Sequence, residues 1–271
     1  MIGSAYGLLW LALLIYILYI RTGKRALGWA GTGCLIASWV LLTSGLVQRG
    51  LKAGHWPLAN RFEFALCFLW AMLAVYLLLE ASWRRQEAGP FVTALALLVG
   101  TYALTRPASD QVIAPLLPAL RSMWLQLHVL SAAIGYGVSG VAAGLALMRL
   151  AAPALSKEAE GQGKLPALTE IERAMERLLA LGFPWLTLGI LSGAIWAQQA
   201  WGRYWGWDPK EDWSLATWLW YLLILHVRSL RGWRGTRLAI LVVIGFGLVI
   251  FTFIGVPWLV RTVRLESLHG F

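Results

Sequence analysis

Apolar residues in this chain come in long unbroken runs, not at the alternating or three-to-four spacing of a half-buried strand or helix. A run of about 20 such residues is what a helix needs to cross a bilayer. The runs place spans at roughly 3–20, 27–47, 61–80, 90–105, 124–148, 178–200, 214–230 and 238–258. The fourth is short and bounded by proline. The expectation is an all-α integral membrane protein of about eight transmembrane helices, one polytopic domain over residues 1–271. Only 153–177 has soluble character. Its first half carries Pro, Gly and Lys and reads as a loop. Its second half opens at Thr169 and keeps Ile171, Met175, Leu178 and Leu179 apolar, which predicts an amphipathic lead-in to the sixth span. In the fifth run Ser131, Gly135, Ser139, Gly140 and Gly144 permit close helix approach.

Composition agrees: 59% of residues are hydrophobic and 13% charged, against about a quarter charged in a soluble domain. The net charge of +10 raises nucleic acid as a partner only if the charge is gathered on a soluble surface. Here it is sorted by loop. Arg21, Lys24, Arg25, Arg84, Arg85, Arg149, Lys157, Lys164, Arg173, Arg177, Arg228, Arg231, Arg234 and Arg237 share one side if the eight spans alternate. The positive-inside rule makes that side cytoplasmic. Both termini, the tail 259–271, the segment 201–213 and the loops near 48–60 and 105–123 then lie outside. The basic excess reads as topology and contact with anionic lipid, with no nucleic-acid partner. The N-terminus has no basic region before its apolar run and reads as a retained helix, not a cleaved signal. Cys34 and Cys67 each sit inside an apolar run with no CxxC near them. They read as packing groups.

The outer segment Trp201–Trp213, WGRYWGWDPKEDW, is unlike an ordinary connector. Trp201, Tyr204, Trp205, Trp207 and Trp213 put flat aromatic faces where water is expected, with Gly202 and Gly206 allowing close backbone approach. Tryptophan also collects at membrane interfaces for its own reasons, but the density points to a large, flat, apolar ligand. Asp208 has an architectural reading. It is a good N-cap, with Pro209 at the first helical position and Glu211 at the third, as in a capping box.

The four histidines add chemistry. His128 ends the fifth span on the outer side, and His269 lies in the outer tail, so both share a side with the tryptophans. His226 lies within the seventh span, where an ionisable group is costly and functional by default. His55 reads as a loop-packing residue. Two neutral imidazoles can take both axial positions of a haem iron. A porphyrin also needs apolar walls and cations for its propionates, and the outer loops hold Arg49, Lys52, Arg61, Arg106, Arg121, Arg203 and Lys210. Tetrahedral zinc fits less well, since no close-spaced His, Cys or Asp set exists. No histidine at matching depth pairs with His226, so its axial partner has to come from another subunit.

Residues 201–228, WGRYWGWDPKEDWSLATWLWYLLILHVR, resemble the tryptophan-rich WWD signature of the haem-handling proteins of cytochrome c biogenesis. Within that group the chain is most similar to the CcsA (ResC) family of the System II pathway. Pro57, Asn60 and Glu63 in HWPLANRFEFAL, His128 in LQLHVL and His269 in ESLHGF resemble family stretches too. The chain departs from the pattern at Asp212, where the family usually has Thr, and at Gly270, where it usually has Ser. The resemblance implies non-covalent haem b held by two histidines. His128 and His269 would be the outer ligands. His226 would ligate haem within the membrane, opposite a histidine of the CcsB (ResB) subunit. Trp201, Arg203, Tyr204, Trp205, Trp207, Asp208 and Trp213 would line the outer site. It also implies haem transport and ligation to the CxxCH of apocytochrome c, a cytochrome c synthase activity, with thiol-reducing proteins as indirect partners. The location implied is the cell inner (cytoplasmic) membrane or a thylakoid. A multi-span transporter or a structural subunit with an aromatic belt and no haem is the alternative.

Overall fold

The computed structural model describes residues 1–113, 116, 118–158 and 166–263, and of 119 and 156–158 the backbone only. His269 and the end of the tail lie outside the described residues. Every regular element among the described residues is helical. In order they are α1 (Ile2–Thr22), α2 (Arg25–Ala53), α3 (Arg61–Trp83), α4 (Gly89–Leu104), the single turn α5 (Ala108–Gln111), a 3-10 turn (Pro118–Leu120), α6 (Met123–Glu158), α7 (Leu168–Trp201), α8 (Pro209–Leu230) and α9 (Gly235–Ile250). A π-turn (Phe251–Gly255) and α10 (Val256–Val263) continue α9 without a break.

Among the described residues six helices are long and apolar enough to cross a membrane, which makes this a multi-pass membrane protein. The fourth expected span, Gly89–Leu104, is shorter. The seventh, α8, has 22 residues but is less apolar, because its first turn is charged and its far end carries His226 and Arg228. The sixth differs from expectation in another way. The amphipathic lead-in does not stand apart but runs straight into the apolar run, giving an α7 of 34 residues. Its polar turns are held by ion pairs. Glu172 accepts from Arg149 of α6 at 2.9 Å, and Glu176 receives both arms of the Arg228 guanidinium from α8. Arg85 reaches Glu170 at 3.6 Å. These contacts tie the basic ends of α6, α7 and α8 and the α3–α4 connection together.

The bundle is organised around α6, which touches α3, α4, α7 and α9. Lipid offers no hydrophobic drive for helices to associate, so close packing and hydrogen bonds have to hold them. Glycines on different faces of α6 provide that closeness. A Cβ at Gly135 would lie 2.8 Å from Leu186 of α7, one at Gly137 2.8 Å from the Met72 backbone N of α3, and one at Gly144 2.5 Å from Val92 of α4. At Gly140 the neighbours are Met72 and Phe246 of α9. A second lock joins α1, α2 and α3 through a buried carboxylate. Glu80 accepts from Tyr16 at 3.1 Å and from Thr32.

At the other end of the bundle the HWPLANRFEF stretch has an architectural explanation. Asn60 caps α3, its Oδ1 accepting from Glu63 N at 2.9 Å. The buried Glu63 carboxylate pairs with Arg49 and also accepts from Ala59 N at 2.7 Å. Arg49 donates onward to the carbonyl of Gln111 at 2.6 Å, fixing the segment after α4.

A glycine contrast tests the central seam. Gly137→Ala forces a methyl into the α3 backbone, an overpacking expected to lower stability by about 1–3 kcal/mol. Gly33→Ala meets nothing within 4 Å and should be neutral or mildly stabilising, by at most about 1 kcal/mol. Thermal unfolding in detergent reads both, and equal midpoints would refute the packing role of Gly137.

Candidate functional site

One large cleft opens between the N-terminal ends of α3, α6 and α8, the C-terminal end of α7 and the π-turn. About 1380 Å³ of space lies between its walls, the open solvent at its mouth included. Leu58, Phe64, Tyr136, Trp196, Trp218 and Phe253 give it apolar and aromatic walls. Phe64, Phe68, Tyr136 and Phe253 form one aromatic cluster of tilted and edge-to-face pairs, with ring centroids between 4.9 and 6.4 Å apart. The π-turn brings Thr252 and Phe253 to the wall, and Thr252 is held to Thr217 of α8 at 2.9 Å. Such bulges recur at functional sites because they re-aim side chains inside a helix.

His128 stands on α6 in this wall. Its Nδ1 lies 2.7 Å from the Gly189 carbonyl of α7. A carbonyl only accepts, so Nδ1 carries a proton, and in the neutral ring Nε2 has the lone pair. The ring stacks against Trp196, with centroids 6.4 Å apart and an 11° interplanar angle. Its seat requires glycine at position 193, where a Cβ would fall 2.6 Å from Nδ1.

The tryptophan segment is folded by its own capping. α7 stops at Gly202, φ 75°, whose N–H returns to Gln198 O. α8 starts with the expected capping box, Asp208 accepting from Lys210 N at 2.9 Å. Glu211 Oε2 accepts from both Gly206 N at 2.7 Å and Asp208 N at 3.1 Å. It grips the chain on either side of Trp207, whose φ of 56° is costly for a bulky residue. Asp208 is thereby buried as architecture.

The five rings do not form one wall. Tyr204 and Trp205 line the cleft. Trp201 packs edge-on to Trp196 at 4.8 Å, and Trp213 packs on Phe251 at 4.5 Å. Trp207 is 71% exposed and points outward. Arg203 folds onto its own loop, its Nε 2.6 Å from where a Cβ of Gly206 would be. The cleft cations are Arg61 and Lys210. Arg49 pairs with Glu63 and Arg106 with Asp110. His226 is exposed on the flank of α8, in a stripe with Leu219, Leu222 and Leu223, apart from the cleft. Sequence reasoning passed over Phe64, Tyr136, Trp196 and Phe253. Each sits in an apolar run, where an aromatic reads as core. The one available signal was Trp196, five residues before Trp201.

A family model described as cytochrome C assembly protein matches residues 58–264, which contain all of the cleft. The chain belongs to the cytochrome c assembly protein family. Among curated relatives it is 33% identical to the cytochrome c biogenesis protein CcsA of Trieres chinensis, over 94% of this chain and 92% of that one. It is 38% identical to the CcsA of Chlamydomonas reinhardtii over 80% of this chain, but spans only 62% of that longer protein. The CcsA of Parasynechococcus marenigrum is also 38% identical, over 80% and 79% of the two chains. Among solved structures the chain superposes on the cytochrome c heme lyase CcmF with a TM-score of 0.65 at 18% identity. That match covers 93% of this chain and 45% of the lyase, a likeness of fold.

Within this assembly-family cleft, the half-buried Lys210 ammonium has its pKa pushed down to about 8 by burial and by the Arg61 charge, against the opposing pull of Asp208. At pH 8 about half of such a group is neutral, against well under 1% for an ordinary lysine near about 10.4. Dilute acetic anhydride at that pH should therefore label Lys210 ahead of the exposed Lys24 and Lys52, as read by peptide mass spectrometry. Arg61→Met raises the pKa and should slow the labelling. A Lys210 modified no faster than the exposed lysines would contradict the shift.

Proposed function

We propose that this chain presents haem to apocytochrome c, as the CcsA-type subunit of a cytochrome c synthase. Haem is its cargo. The observation that carries this reading is His128, whose Nδ1–H is fixed by Gly189 so that Nε2 has the lone pair inside an aromatic cleft. An imidazole held in that tautomer is a haem-iron ligand in waiting. His269, beyond the described residues, supplies the second outer ligand. Tyr204 and Trp205 give the flat faces, and the cluster around Phe253 closes the floor and excludes water.

All eight expected spans cross the membrane, α4 and α8 included, with both termini and the cleft on the outer side. The membrane is the cell inner (cytoplasmic) membrane. His226, exposed on the α8 flank at membrane depth, ligates haem arriving from the cytoplasmic side, opposite a histidine of a CcsB-type partner. The cargo's vinyl groups supply the chemistry. Each accepts one thiol of the apocytochrome CxxCH, the sulfur bonding to one vinyl carbon and the proton going to the other, with no net redox change. The chain's own contribution is position. His128 fixes the iron against α6, the aromatic walls fix the plane, and bis-histidine ligation guards the oxidation state until the CxxCH histidine displaces one imidazole.

His128→Ala should remove the outer-site Soret signal from purified protein while leaving protein abundance near wild type. It should also abolish cytochrome c maturation in cells. Normal holocytochrome c in that variant would sink the proposal. His226→Ala should reduce haem retention only when the partner subunit is co-expressed. Equal loss with and without the partner would remove the inter-subunit role.

A further inference from the structure

Two cations meet on the cleft wall. Arg61 opens α3 and Lys210 lies in the first turn of α8, so both helices turn their N-terminal ends toward the cleft. Both positions are rigid, because Asn60 and Asp208 cap the two helices beside them. No ion pair or hydrogen bond with another described residue engages the Lys210 ammonium. Among the described residues the one carboxylate lining this wall, Glu211, is committed to the backbone of Gly206 and Asp208. Of the carboxylates whose charge reaches the two cations, Asp208 caps α8 and Asp110 pairs with Arg106. The other titratable groups lining the cleft are His128, Tyr136 and Tyr204. Like charges gathered in a poorly solvated cleft repel, and an anion between them removes the repulsion.

We infer that Arg61 and Lys210 form a carboxylate clamp that takes the acidic edge of a porphyrin in this cleft. This rests on the haem reading above and deepens it. A haem has its two propionates on one edge and its two vinyls on the opposite one. Holding the acidic edge at α3 and α8 sets the rotation of the macrocycle in its own plane, which neither an axial histidine nor a flat aromatic wall can do. The clamp thus determines that the vinyl edge is the one turned away from the cations. Arg203, the outer cation nearest the tryptophans in sequence, has no part in it, since it does not line the cleft.

The test uses the purified full-length chain in detergent and two iron-free probes, protoporphyrin IX and its dimethyl ester, read by porphyrin fluorescence. Without iron, His128 does not contribute. Wild-type protein should prefer the diacid. Lys210→Met and Arg61→Met should each weaken the diacid by about 10-fold or more, the scale of a charge-assisted hydrogen bond, and leave the diester unchanged. Lys210→Arg should restore most of the loss, as a structural role for the side chain would not. Equal weakening of both probes means the residues only pack, and overturns the clamp. Unchanged diacid affinity in the Met variants also overturns it. Wild-type protein that binds haem through His128 yet shows no diacid preference overturns the clamp alone. Protein that binds neither haem nor porphyrin overturns the haem reading with it.

Discussion

The cleft depends on how closely α6 and α7 approach. Gly135 lets Leu186 seat against α6, and Gly193 leaves room for the His128 ring. The Gly189 carbonyl receives the His128 Nδ1 proton. In hydrocarbon such a seam has no solvent-driven collapse behind it, so the fit of small residues decides the spacing. The other walls hang from the same seam. Trp196 stacks on the histidine from α7, Trp201 packs behind Trp196, and α7 then ends at Gly202 to release the tryptophan segment. A wider seam would lose the histidine's tautomer and the aromatic wall together.

The segment from Gly202 to Asp208 shows how a connector can be rich in apolar rings and still be ordered. Its order comes from one carboxylate. Glu211 binds the chain before and after Trp207 and so holds that residue in a left-handed conformation it would not adopt unaided. The rings are then distributed by backbone direction. Two reach the cleft, two brace its supports and one faces outward. The capping box and the aromatic surface belong to one device, in which Asp208 and Glu211 position the rings.

Much of this was legible in the sequence. The apolar runs matched the observed helices, and Asp-Pro-Lys-Glu announced the start of α8. Helix ends were less legible. An apolar run marks only the stretch that lipid solvates, while the polar turns beyond it are stabilised by partners far away in sequence, such as Arg149 with Glu172 and Arg228 with Glu176. The cleft was legible in its histidine and blurred in its walls. His128 stood out as a titratable group at a span end. Arg61 and Lys210 counted among seven outer cations, but nothing in a linear reading brings the first turns of α3 and α8 together. Proximity in sequence favoured Arg203, whose guanidinium closes its own loop instead. Tyr136 and Phe253 were hidden because an aromatic that faces a cleft and one that faces a core have the same neighbours in the chain.

The π-turn at Phe251–Gly255 has a consequence of phase. A helix advances by about 100° per residue, so one residue inserted into the ladder rotates everything after it by about that angle. α9 packs on α6 and α8 and buries Leu238, Val242, Phe246 and Val249 on its inner face. Without the extra residue that face would continue straight into the last turns. With it, the register resets between Ile250 and Val256. Phe253 serves the cleft while Val256 and Pro257 are buried and Trp258 is exposed. The direction of α10 is therefore set by one residue's worth of rotation, and losing that residue would turn α10 and shift Thr252 and Phe253 in the cleft wall together.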